Sequence, residues 1–429
     1  MSARAREAIA PLYLLCCLVL GSAQNSWSVM ILELLGLALL VWAALEPVAE
    51  PLGRAPRHLL MIAVCALVAI ALQLLPLPLS LWRHLGGRQG LATDYRMLGL
   101  QISALPLSLT PYETLDNVLK LIPPLAIVCA IVRLRAYRPI WLAAALLAGT
   151  VLGVALGAIH LPSGDSSFRT SHAALFAAIS LPFVVALFVS EHGSWRRQRA
   201  RMTAILAVTT LIILIGAAIT QSVAGLGLAL SVLGASGLLL VGPRWPRSRL
   251  LVAGALLAST AALISIATIQ LQDRGHLVWT SVGSRAEVLT TTAHAAGDFM
   301  PFGSGFGSFQ NVYRLYEDPD RVTTGSMIHA HDDYLELALE MGLPGILLFV
   351  GFLAWWIAAF VRVWREADAI PFARAASIAS ALVLFDGLVD FPLRTASIGI
   401  VFAMCLALMA DRRGRSRSEL RPSRHIVLE

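Results

Sequence analysis

The sequence predicts an all-α polytopic membrane protein, with about twelve transmembrane helices and a partly helical segment between spans 9 and 10. Three observations carry that expectation. Apolar residues make up 57% of the 429-residue chain and charged ones 14%, at a mean hydropathy of +0.74, far more hydrocarbon than a soluble core needs. The apolar residues fall in runs of about 20, the length that crosses a bilayer as helix. Basic residues cluster at the ends of alternate runs, as the positive-inside rule requires.

In chain order the runs centre on residues 8–22, 27–45, 57–75, 115–133, 139–159, 171–190, 203–220, 222–241, 250–270, 344–361, 372–390 and 394–410. The first, with Arg4, Arg6 and Gly21-Ser22-Ala23, also reads as a signal peptide cleaved near residue 23, which would leave the other spans oriented as they are. With the N-terminus inside, 23 of the 33 basic residues lie in cytoplasmic loops and the tail, which puts both termini on the cytoplasmic side of the membrane. Topology and the anionic inner leaflet then account for the formal charge of +7, and nothing in it points to nucleic acid. Cys16, Cys17, Cys65, Cys129 and Cys405 all fall inside apolar runs and read as small core residues without disulfide or metal roles. The chain divides into a nine-span region (1–270) with an external loop at 76–114, an external segment (271–343), a three-span region (344–411) and a basic tail (412–429).

The external segment holds the chemistry. Ser284 to Asp298 has helical spacing and ends beside Gly297. Pro301 to Phe309 then alternates glycine with aromatic residues, so that the backbone can turn and approach a neighbour closely. As a phosphate loop the stretch is weak, because no strand precedes it and no Lys-Ser/Thr follows. Beyond a polar loop (Glu317 to Ser326) comes His329-Ala330-His331-Asp332-Asp333-Tyr334, with Asp332 or Asp333 as N-cap and Gly342-Leu343-Pro344 as stop for a helix whose Leu335, Leu339 and Gly342 share a face. His331 therefore sits at a helix N-terminus, where an anion is favoured and an imidazole can take a proton. The bland alternative is that both histidines cap the helix and satisfy buried polar groups. A zinc reading of His329-x-His331-x-Asp333 fails on its fourth member, because Tyr334 stands where the hydrolase motif wants histidine.

Asp386 lies within an apolar run, where an unpaired charge costs about 2.5 to 3.5 kcal/mol on insertion scales. Asp390 and Arg394 follow at i+4 and i+8. They read either as an ion pair with each other or, for Arg394, as a cation facing the same pocket as His331. Ten basic residues remain on the unfavoured side (Arg83, Arg88, Arg96, Lys120, Arg169, Arg274, Arg285, Arg314, Arg321 and Arg394), which points to an anionic ligand.

Four stretches together resemble the O-antigen ligase and polymerase superfamily of bacterial integral membrane glycosyltransferases. They are Arg285 in GSRAEVL, the Pro301–Phe309 turn, Ala330-His331-Asp332-Asp333-Tyr334-Leu335-Glu336-Leu337 with Glu340 to Gly345, and Asp390-Phe391-Pro392-Leu393-Arg394. They span roughly 205 to 400, and the His331-to-Gly345 block is the specific part. The resemblance implies transfer of a glycan from undecaprenyl diphosphate to a sugar hydroxyl at the periplasmic face, without metal, nucleotide or other cofactor. The acceptor would be lipid A-core, as in a ligase, or a growing glycan, as in a polymerase. Carried onto this chain, His331 would be the base and Arg285 would hold the departing diphosphate. Arg169, Arg394, His329, Asp332, Tyr334 and Asp390 would line the substrate site. The chain departs from the family pattern at Asp332, where asparagine is common, at Gln221-Ser222-Val223-Ala224, which lacks an arginine, and at Phe168-Arg169-Thr170-Ser171-His172, where Arg169 is the available substitute. The reading from a different class is a secondary transporter or lipid flippase. That would place paired charges and broken helices in matching halves, whereas the polar groups here gather on one side.

Overall fold

The computed structural model describes residues 2–21, 26–47, 51–159, 166–190, 279–317, 327–366, 369–388 and 390–411, with side chains at 153–174, 188 and 279–285 excepted. It is mostly helical. Numbered in chain order among these residues, the helices are α1 (Ala3–Glu7), α2 (Ile9–Gly21), α3 (Ser26–Leu45), α4 (Arg54–Gln73), α5 (Leu79–Trp82), α6 (Gln89–Met97), α7 (Pro111–Leu119), α8 (Ile122–Val132), α9 (Pro139–Ile159) and α10 (Ser166–Ser190). Beyond residue 278 come α11 (Trp279–Asp298), α12 (Phe309–Tyr316), α13 (Asp333–Arg365), α14 (Pro371–Asp386) and α15 (Ala396–Ala410). Among the described residues, α3, α4, the α7–α8 pair and α13 are long and apolar enough to cross a membrane. The runs expected at 8–22, 27–45, 57–75, 115–133, 139–159, 171–190, 344–361, 372–390 and 394–410 fall on helices. Those at 203–220, 222–241 and 250–270 lie outside the described residues.

Prolines open several of these helices, Pro111 in α7 and Pro371 in α14 among them, because a first-turn residue has no intrahelical partner for the N–H that proline lacks. The bundle core joins α2, α8, α9, α10, α14 and α15 through Leu14, Ile131, Leu146, Phe183, Val383 and Met404. Indole and phenol groups inside it find acceptors: Tyr13 Oη donates to Leu32 O at 3.0 Å, Trp355 Nε1 to Ala55 O at 3.0 Å and Trp356 Nε1 to Ser380 Oγ at 3.0 Å. The outward faces are apolar too. Leu34, Val64, Val68, Leu347 and Val350 are exposed, which suits helices solvated by lipid.

The two ends of the bundle differ. At one end Arg6 pairs with Glu46 at 2.9 Å, Arg138 with Glu7 at 3.3 Å, and Arg362 Nη2 donates to Met409 O at 2.7 Å. Arg133 donates to Ala43 O at this same end. At the other end sits a smaller, separate core in which Val288, Ala295 and Phe299 of α11 pack with Phe309, Val312, Tyr313, Ala330 and Leu339.

One feature departs from the all-α expectation. Pro76–Pro78 (β1) and Ala104–Pro106 (β2) pair antiparallel, with Pro76 opposite Pro106 and Leu77 opposite Leu105. Prolines are tolerated in so short a ladder because both strands are edges. The segment between them packs onto the smaller core through Arg88. That side chain is fully buried, and it donates to Gly86 O at 2.9 Å, Leu107 O at 2.5 Å and Gly303 O at 2.8 Å. Its guanidinium also lies against the rings of Trp82 and Phe299. Burial pulls the Arg88 guanidinium down to about 10. Arg88 therefore serves as an internal clasp, although its position outside the spans had counted toward an anionic ligand.

Candidate active site

Two backbone devices build the site. The first is the glycine turn. Gly303, Gly305 and Gly307 all have positive φ, and a Cβ on Gly303 would lie 2.4 Å from Glu340 O. Only glycine lets the turn reach the carbonyls where α13 breaks. Ser304 N donates to Leu339 O, Gly305 N to Glu340 O, and Leu343 N to Pro301 O, at 2.9, 2.9 and 2.7 Å. Gln73, buried at the end of α4, closes the arrangement: its Oε1 accepts from Phe306 N and its Nε2 donates to Glu340 O, both at 2.9 Å. At Gly342 (φ 58°, ψ −147°) α13 kinks. The expected stop at Gly342-Leu343-Pro344 is thus a break within one element, after which the helix resumes.

The second device is the N-terminus of α13. Asp332 is the N-cap, and its Oδ1 accepts from Tyr334 N and Leu335 N at 2.9 Å each. Immediately before it, His331 has φ +57°, a left-handed conformation that few non-glycine residues adopt. His331 Nδ1 lies 3.3 Å from Asp390 Oδ1. The two side chains are 28% and 24% exposed, so the pair is partly open to solvent. The Phe391 ring lies against both imidazoles, 4.4 Å from His329 and 5.2 Å from His331 between centroids.

Beside this pair is a largely buried ionic cluster. Arg394, in a 3-10 turn (Pro392–Arg394), places Nη2 2.8 Å from Glu340 Oε2, Nη1 3.4 Å from Glu336 Oε1 and Nε 3.8 Å from Asp333 Oδ1. Glu336 and Glu340 are 1% and 0% exposed. His329 joins the cluster at 3.1 Å from Glu336 Oε1, while Glu336 Oε2 accepts from Ala330 N at 3.0 Å. Asp333 Oδ2 accepts from Leu393 N at 3.0 Å.

The structure therefore assigns several expected site residues to different surroundings. Arg394 pairs inside the protein with three carboxylates, and Asp390, read as its partner in one of two alternatives, reaches His331. Tyr334 donates its hydroxyl to Leu384 O, which ties α13 to α14, and its ring lies tilted against Phe349 of its own helix. His329, His331 and Asp333, read as a metal triplet, each have a different partner. Arg169 lies on α10 and Arg285 on α11, but their side chains are outside the described set. Glu336, Glu340, Gln73 and Phe391 were not foreseen. The acids had a signal, since Asp333, Glu336 and Glu340 at i, i+3 and i+7 share a helix face. Gln73 had none, because its partner is 267 residues away.

Fold and site together define a helical membrane protein with a histidine–aspartate pair and a buried ionic cluster at one end of its bundle. The family model described as O-antigen ligase matches residues 205–350. Over these residues, about a third of its length, the chain is similar to the O-antigen ligase family. The matched stretch includes Arg285, His329, His331 and the first half of α13, while Arg169, Asp390 and Arg394 lie beyond it. No curated protein matches the chain.

Proposed function

We propose that the protein transfers a glycan from undecaprenyl diphosphate to a sugar hydroxyl at the periplasmic face of the inner membrane, with lipid A-core as acceptor. One observation supports it above the others: His331 stands partly exposed at a helix N-terminus with its Nδ1 on Asp390, inside the stretch that matches O-antigen ligases. With Nδ1–H donated to the aspartate, a neutral imidazole carries its lone pair on Nε2, and that nitrogen takes the acceptor's hydroxyl proton. The hydroxyl oxygen then bonds to the anomeric carbon as the bond from that carbon to the diphosphate oxygen breaks. Undecaprenyl diphosphate leaves with the electron pair. Arg285 and Arg169 are the cations we assign to its charge, because a guanidinium meets phosphate oxygens bidentately. Arg394, held by three carboxylates, is left out of that role and positions α13 instead.

Polymerisation of repeat units is the second reading, since it uses the same donor and the same chemistry. The surface polysaccharide of a deletion strain separates the two. Long polymer retained on the lipid carrier beside bare lipid A-core means a ligase, and a single repeat on core means a polymerase. An unchanged profile contradicts both.

A further inference from the structure

The segment between β1 and β2 ends in a tip that neither the site nor the bundle uses. Met97, Leu98 and Leu100 are 81%, 72% and 49% exposed. Gly99 among them has φ +71°, and a Cβ there would meet nothing within 4 Å. The segment has two faces. Trp82, Arg88 and Ala92 point inward, and the Trp82 and Tyr95 rings, 6.5 Å apart, hold α5 against α6. Leu81 and the tip point outward, with Arg83 and Arg96 also exposed.

The root of the segment lies at the end of a membrane-crossing helix. α4 ends at Gln73, and the β1–β2 ladder begins at Pro76. Exposed apolar side chains run along α4 through Val68, Leu72 and Leu75 into that root. At the same end of the bundle, exposed Trp27 opens α3 and exposed Tyr112 opens α7, the placement of an interfacial aromatic belt. The nine residues of α6 extend only about 14 Å at 1.5 Å each, so the tip stays within reach of that interface.

We propose that Met97–Leu100 inserts into the bilayer leaflet on the His331 side and anchors the 79–103 segment there. Three large apolar side chains in four residues, beside two exposed arginines, suit an acyl-chain boundary below phosphate headgroups. The patch also continues the lipid face of α4, which favours lipid over a protein partner. Through Arg88 and Gly303 O, at 2.8 Å, the anchored segment braces the glycine turn.

The test uses the full chain in nanodiscs, with its five native cysteines replaced and a bimane label on Leu98→Cys or Gln89→Cys. Lipids brominated near the top of the acyl chain should quench label 98 about threefold more strongly than label 89, with aqueous iodide showing the reverse order. Quenching of label 98 by iodide alone would overturn the proposal, and so would protection from both quenchers, which means a protein partner. Leu100→Cys repeats the measurement where Leu98→Cys does not assemble.

Discussion

His331 combines left-handed backbone, partial exposure and an anionic neighbour. Such a conformation costs on the order of 1 kcal/mol or more outside glycine and holds the ring between Asp390 and Phe391. If Asp390 fixes the tautomer, Asp390→Asn should lower kcat about 100-fold or more with KM little changed; a change confined to KM would make Asp390 a substrate contact. Arg394 is expected to behave differently. Arg394→Ala leaves three buried carboxylates without their cation, and loss of one partner from a buried pair costs about 3–5 kcal/mol. The protein should then fall in membrane abundance and melt earlier, with Arg394→Lys rescuing only in part because it lacks the fork. Normal abundance with lost transfer would return Arg394 to substrate binding. The sequence placed His331 and its cap correctly because capping is local chemistry. Of its two readings of Asp390 and Arg394, the ion pair between them does not form, because i+4 spacing presumes a helix and Pro392 replaces that helix with a 3-10 turn.

At the scale of elements, the glycine turn and the broken helix are one joint. A Cβ on Gly303 would meet the Glu340 carbonyl at 2.4 Å, whereas one on Gly99 meets nothing. Both residues have positive φ, so the contrast isolates close approach from backbone strain. Gly99→Ala should cost roughly 1 kcal/mol. Gly303→Ala should cost clearly more, read as the difference in thermal unfolding midpoint of purified protein, and equal shifts would show that the joint is not tight. The alternating glycines made close approach legible in the sequence. Its partners were not, because Glu340 O and Gln73 are brought to the turn only by the packing of α4 against α13.

For the whole molecule, composition and run length were enough to read a helical membrane protein, since a bilayer leaves the backbone few alternatives. The small β1–β2 ladder escaped that reading because its strands are three residues long and rich in proline. Charge was less reliable as a guide to ligand. Arg88 and Arg394, both on the unfavoured side, are engaged inside the protein, so an excess of cations there measures internal bracing as well as anion binding.

The most direct test of the account is transfer in proteoliposomes from an undecaprenyl-diphosphate-linked glycan, comparing wild type with His331→Ala, Arg285→Ala and His294→Ala. Losses of about 100-fold or more are expected for the first two at normal protein levels, and near-wild-type transfer for His294→Ala, whose exposed ring meets Tyr316 edge-on. Transfer retained in both His331→Ala and Arg285→Ala would contradict the account.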